Sequence, residues 1–238
     1  HYDVHSLRVC SGIISGHIIN NTSIERQVMK NALILGGGSK FGAELTKQLS
    51  KDYHIDLITS SDFTHDNVTT HTVDWMSLDE DILINICNKI SDKKFDIIFF
   101  NQNSFNKGGP PNAGDFAPGY RCSMDEWHNH YWINCMSTYF ITQTLSNCIT
   151  ENTKVGWMIS GIIHGDQTIL WQHGGYAAVK NSNVHLMRGF ASEHPGIFFA
   201  INPGHMTGDI YKQDAEIMIE QIENLTSENN GELIENYA

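Results

Sequence analysis

Tyr176 and Lys180 stand four residues apart in Tyr176-Ala177-Ala178-Val179-Lys180, a spacing that puts a phenol and an ammonium on one face of a helix. A cation beside a phenol favours the phenolate and draws its pKa down from about 10 toward working pH. The pair could therefore give a proton to, or take one from, a substrate oxygen. A second cluster is Leu35-Gly36-Gly37-Gly38-Ser39-Lys40-Phe41-Gly42, where glycines let main-chain N–H groups approach a phosphate at the start of a helix. A third, Thr59-Ser60-Ser61, offers three neighbouring hydroxyls and no carboxylate until Asp62.

These groups are far apart in the chain, so a fold must gather them. From Asn31 onward, short β-branched apolar runs alternate with longer amphipathic stretches, the pattern of strands and crossover helices around a parallel sheet. Strands are expected at Asn31–Leu35, Ile55–Thr59, Thr70–Val73, Ile97–Phe100, Val155–Ile159, Ile197–Asn202 and Glu232–Glu235. Helices are expected at Phe41–Leu49, Leu78–Ile90, Met124–Asn147, Tyr176–Glu193 and Tyr211–Asn224, with loops over Asn101–Cys122 and Ser160–Gly175. The glycine-rich turn follows the first strand and marks a cofactor crevice, which favours an open sheet over a barrel. The expectation is one α/β domain over residues 31–238, a doubly wound parallel sheet of about seven strands (Rossmann fold) with helices on both faces. Residues 1–30 read as an N-terminal extension, in which Val9–Ile19 could form a hairpin, cover a sheet edge or reach a partner chain.

Composition narrows the partners. The 238 residues carry a formal charge of −12, with 15 Lys plus Arg against 27 Asp plus Glu, which argues against a nucleic-acid backbone as ligand. No apolar run approaches the ~20 residues of a membrane helix, so no membrane association is expected. Five cysteines (Cys10, Cys87, Cys122, Cys135, Cys148) are odd in number and lack Cys-x-x-Cys spacing, which suits the reducing cytoplasm. Neither His128 with His130 nor His164 with His173 has a convincing metal-ligand spacing, and no metal is expected.

The ordered set of motifs resembles the short-chain dehydrogenase/reductase family over about residues 31–238. In the family's first turn, Thr-Gly-x-x-x-Gly-x-Gly, Gly36 and Gly42 take the first and last glycine positions, and Lys40 replaces the middle one. Asp74 resembles the aspartate that holds the adenine amino group. Asn101, Gln102 and Asn103 stand in the Asn-Asn-Ala-Gly turn beside the adenosine ribose, with the first residue kept. Asn134 resembles the asparagine whose main-chain carbonyl helps hold a relay water, and Pro203-Gly204, with Met206 after it, resembles the turn beside the nicotinamide.

The resemblance implies an NAD(P)-dependent oxidoreductase that moves hydride between nicotinamide and a carbonyl or secondary alcohol. Tyr176 would be the acid–base, Lys180 would lower its pKa and hold the ribose hydroxyls, and Asn134 would support the relay. The family's substrate-orienting serine falls at Ser160 or at Gly161, and Ser160 is the hydroxyl there; a plain count of thirteen residues before the tyrosine lands on Ile163. Ser39, Lys40 and Phe41 would complete the phosphate turn, and Ser60 and Ser61 would lie beside the adenosine ribose. Hydroxyls and Lys40 suit a 2′-phosphate, so NADP(H) is preferred and NAD(H) stays open. The alternative is a nucleotide-binding regulator or scaffold of the same fold with weak or no catalysis. The family's habit also implies a homodimer or homotetramer built on the two long helices.

Overall fold

A computed structural model describes residues 29–75, 80–102, 124–160, 167–203 and 211–235, with side chains described throughout except at 126, 167–175 and 211. Seven strands lie in it: β1 (Lys30–Leu35), β2 (Tyr53–Thr59), β3 (Val68–Thr72), β4 (Ile97–Phe100), β5 (Lys154–Met158), β6 (Ile197–Asn202) and β7 (Glu232–Glu235). They form one wholly parallel sheet in the order β3-β2-β1-β4-β5-β6-β7. The chain winds one way from β1 to β3 and the other way from β4 to β7, so a crevice opens beyond the C-terminal ends of β1 and β4.

The register decides what meets there. Leu35 pairs with both Ile58 and Phe100, Phe100 pairs with Trp157, and Met158 pairs with Ile201. Gly36, Thr59, Asn101, Ser160 and Pro203 must then emerge along one edge of the sheet, although they are scattered through the sequence.

Side chains alternate along each strand, and both faces are covered, so the central strands are apolar throughout. Leu33 and Leu35 point into one core with α2 (Glu80–Ile90), α4 (Ser137–Thr144) and α5 (Gln167–Glu193). Ala32 and Ile34 point into the other, against α1 (Lys40–Leu49) and α6 (Tyr211–Glu223). Each fully buried Leu, Ile or Phe contributes about 1.5–3 kcal/mol of burial free energy. In the first core, the Trp157 ring packs on Phe100 at 4.9 Å and on Phe190 at 6.3 Å between centroids, which seats α5 on the sheet.

Three expectations are corrected. The helix carrying Tyr176 begins at Gln167, so part of the expected Ser160–Gly175 loop, including His173, is helical. Gly174 and Gly175 read as a boundary because each costs about 1 kcal/mol relative to alanine; extending an established helix through them offsets that cost. The expected single helix over Met124–Asn147 is four consecutive segments. After α3 (Met124–Tyr131) comes a π-turn, Trp132–Met136, then α4, and a 3-10 turn closes the run at Ser146–Cys148. Hydroxyls compete for its carbonyls: Ser137 Oγ donates to Ile133 O at 2.8 Å and Thr138 Oγ1 to Cys135 O at 2.8 Å. Finally, β2 and β3 each begin two residues earlier than expected, at Tyr53 and Val68. The proposed 1–30 extension, apart from residues 29 and 30, lies outside the described residues, and Lys30 already belongs to β1.

Candidate active site

The glycine turn is built by close approach. Gly36 has φ +90°, and a Cβ there would stand 2.5 Å from Gln102 main-chain atoms, so only glycine fits. A Cβ at Gly42 would meet the Gly36 carbonyl at 2.3 Å and Asn101 Nδ2 at 2.6 Å. Asn101 ties the two strand ends together. Its Nδ2 donates to Gly36 O at 2.9 Å, and its N–H donates to Leu35 O at 2.9 Å. Ser39 caps α1, its Oγ accepting from Gly42 N at 2.9 Å. Gly38 faces the end of β2, where Ser61 Oγ and Thr59 Oγ1 would lie 2.8 and 3.1 Å from an added Cβ.

This turn forms one wall of a cavity of about 570 Å³, and Tyr176 and Lys180 line the same cavity. Lys180 is 2 % exposed; its Nζ donates to the Met158 carbonyl at 3.0 Å and lies 5.6 Å from the centre of the Tyr176 ring. Burial disfavours the ammonium and lowers the pKa from 10.5 to about 7. In this arrangement Lys180 changes charge near neutral pH. Ser160, two residues past β5, borders the cavity as well.

Behind this wall the π-turn carries Asn134, which is 1 % exposed. Its carbonyl accepts from Asn183 Nδ2 at 2.8 Å, and its own Nδ2 donates to His130 O at 3.0 Å. The neighbouring carbonyl of Ile133 accepts from Gln102 Nε2 at 3.3 Å.

Of the residues singled out from sequence, Gly36, Ser39, Lys40, Phe41, Ser60, Asn101, Gln102, Ser160, Tyr176, Lys180 and Pro203 all line the cavity. Gly42 lies under the turn, and Ser61 packs toward Gly38. Asn134 is buried behind the cavity and is not among its lining residues. Asp74 is exposed and is not among the lining residues, although its neighbour Trp75 is. Asn103, Gly161, Ile163, Gly204 and Met206 lie outside the described residues.

Thr59 and Gly38, from the hydroxyl and glycine clusters, line the cavity as well, whereas sequence reasoning missed Trp75, the Met158 carbonyl and Asn183. Asn183 had a signal, because it continues the Tyr176 and Lys180 face at i+7. A main-chain carbonyl leaves no mark in residue type. Among the described residues, no group of three or more His, Cys, Asp or Glu side chains converges as a metal site would. No described helix is long and apolar enough to cross a membrane.

No protein-family model and no curated protein matches the chain. Solved structures do. A short-chain dehydrogenase family protein from Francisella tularensis superposes with a TM-score of 0.72 at 15 % identity, covering 87 % of this chain and 96 % of that one. A short-chain dehydrogenase/reductase from Serratia marcescens gives 0.69 at 17 % identity, covering 87 % and 95 %. BdcA, in complex with NADPH, gives 0.69 at 16 % identity, covering 87 % and 92 %. The seven-stranded sheet, its order and its helical layers therefore make up the fold of the short-chain dehydrogenases/reductases.

Proposed function

We propose that this protein is an NAD(P)-dependent oxidoreductase of the short-chain dehydrogenase/reductase family, acting on a carbonyl or secondary alcohol. The observation that carries this reading is the shared cavity: a phosphate-type glycine turn on one wall, and Tyr176 with a buried Lys180 on the other. The cradle suits a dinucleotide, because glycine-bared N–H groups and the start of α1 favour a pyrophosphate. When bound, that cofactor supplies or accepts the hydride. Tyr176 Oη gives its proton to the carbonyl oxygen in reduction and takes one from the alcohol in oxidation. Ser160 Oγ orients the same oxygen. Lys180 favours the tyrosinate when protonated; it would hold the ribose hydroxyls of a bound dinucleotide, whose negative charge would favour that protonated state. Asn134 supports the relay through the π-turn.

NADP(H) is the proposed cofactor. Thr59, Ser60 and Lys40 line the same cavity, and Asp62 is not among its lining residues, so a 2′-phosphate would find donors there without a carboxylate. The experiment follows NAD(P)H absorbance across carbonyls and alcohols, with affinities for NADPH and NADH measured alongside. Tyr176→Phe should lower turnover by about 10²–10⁴-fold while leaving cofactor affinity within a few-fold. Unchanged turnover in that variant sinks the mechanism, and tight binding without any turnover favours the regulator or scaffold.

We further propose a homodimer or homotetramer in the cytoplasm, seated on α3, α4 and α5. A groove of about 500 Å³ there mixes apolar groups (Tyr131, Tyr139, Leu186) with polar ones (Gln143, His185, Glu193), the composition of an interface between two copies. The buried free thiols Cys87, Cys135 and Cys148 fit a reducing compartment. Sedimentation equilibrium should report a dimer or tetramer, and a monomer at tens of micromolar overturns the assembly.

A further inference from the structure

We propose that Asn183 is a positioning residue: its side-chain amide fixes the axial register of α5 against the π-turn, and so sets where Tyr176 and Lys180 stand relative to Asn134. The proposal rests on the oxidoreductase reading for its functional consequence and on geometry for its physical basis.

Tyr176, Lys180, Asn183, Met187 and Phe190 recur along α5 at steps of four and three residues, one continuous face. From Lys180 onward this face is buried, with Asn183 at 2 %, Met187 at 0 % and Phe190 at 4 % exposure. Met187 and Phe190 bind it through apolar packing, which has no strong axial preference. Two polar side chains break that run, and each donates to a main-chain carbonyl on a different element. Lys180 Nζ reaches Met158 O at the end of β5, and Asn183 Nδ2 reaches Asn134 O in the π-turn. A single buried asparagine in an apolar helix seam is a known device for selecting one register, because any slip strands its amide. Burying an amide costs desolvation that a leucine at 183 would avoid, so the donor, rather than the packing, accounts for this residue.

The π-turn is the natural partner. Its extra residue breaks the regular helix ladder, and carbonyls there become available to outside donors. Ile133 O is taken from the cofactor side by Gln102, which lines the cavity, and Asn134 O is taken from the α5 side by Asn183. Successive carbonyls of one turn thus join the glycine-turn wall to the Tyr176 wall.

The test compares Asn183→Asp, which keeps the shape and exchanges the amide for an acid, with Asn183→Leu, which removes the donor and the polarity together. Both are assayed well below their melting midpoints. Each should lower kcat roughly ten- to hundredfold, the scale of a misplaced reacting group, while KM and NADPH affinity stay within about threefold. Retention of kcat within about twofold in both variants overturns the proposal, as does an equal loss in kcat and cofactor affinity. If the wild-type protein turns over no carbonyl or alcohol, the oxidoreductase reading fails separately, and hydrogen exchange decides the register proposal. Amides of Trp132–Met136 and of residues 176–183 should then lose at least about tenfold protection in Asn183→Leu relative to the β-sheet amides. Unchanged relative protection overturns it.

Discussion

Lys180 and Asp56 are each 2 % exposed, yet the protein treats the two buried charges in opposite ways. Asp56, in the middle of β2, accepts from His71 Nε2 at 3.1 Å and pairs with Lys93. Burial alone would raise its pKa, but the hydrogen bonds from His71 and Lys93 outweigh it and hold the carboxyl below its usual range. Lys180 has the Met158 carbonyl as its hydrogen-bond acceptor and no carboxylate among the causes of its shift, and its pKa falls to about 7. Asp56 sits where β2, β3 and the turn after α2 meet, and it fastens them. Lys180 borders the cavity, where a ligand can complete its environment. A buried charge paired with opposite charges reads as structural, and one whose pKa is set by burial beside a cavity is a candidate for function.

Replacing Lys180 should separate the two cases most sharply. Lys180→Met should cost roughly 10²-fold or more in turnover, and it should also stabilise the cofactor-free protein. The folded pKa is depressed, so between about 7 and 10.5 the unfolded chain holds a proton that the folded chain has released. Wild-type stability therefore rises with pH across that window. The advantage of Lys180→Met should be on the order of a few kcal/mol below pH 7 and fade toward pH 10.5, as followed by urea unfolding. A variant less stable than wild type at pH 6 would break the contrast.

Asp56→Asn should do the reverse. It leaves His71 and Lys93 facing a neutral amide, with an expected loss of about 2–3 kcal/mol at pH 7 and no effect on turnover beyond that of instability. Because the folded pKa is lowered, the stabilisation is present above the unfolded value near 4 and is lost as pH falls through the folded value. The gap between variant and wild type should close on acidification. Lys93→Met should have the smallest effect. The Lys93 side chain is 35 % exposed, so solvent screening limits its loss to under about 1 kcal/mol. A larger loss, measured by the same unfolding curves, would make Lys93 rather than His71 the main partner of Asp56.

Much of the scaffold was legible in the residues. Ile97–Phe100, Ile197–Asn202 and Glu232–Glu235 are strands at the bounds their apolar runs indicate. Gly36 announced a turn that φ +90° requires. The start of α5 was not legible, because Gly174-Gly175 carries a strong local stop signal that the continuing helix overrides. The π-turn was hidden too. Nothing in Trp132–Met136 distinguishes it from ordinary helix, since the extra residue is set by competition for carbonyls from Gln102, Ser137 and Asn183.

By itself, the sequence determined which chemistry the chain carries: a phenol and an ammonium one helical turn apart, a glycine turn after the first strand, and hydroxyls after the second. Those features are local, fixed by side-chain type and by helix or strand period. Only the tertiary structure decided their state. The shift of Lys180 toward 7, the capture of the Asn134 carbonyl by Asn183 and the pairing of Asp56 all depend on burial and on main-chain groups brought from distant strands and helices. Solvation and main-chain acceptors belong to no residue's identity, so packing alone could set them.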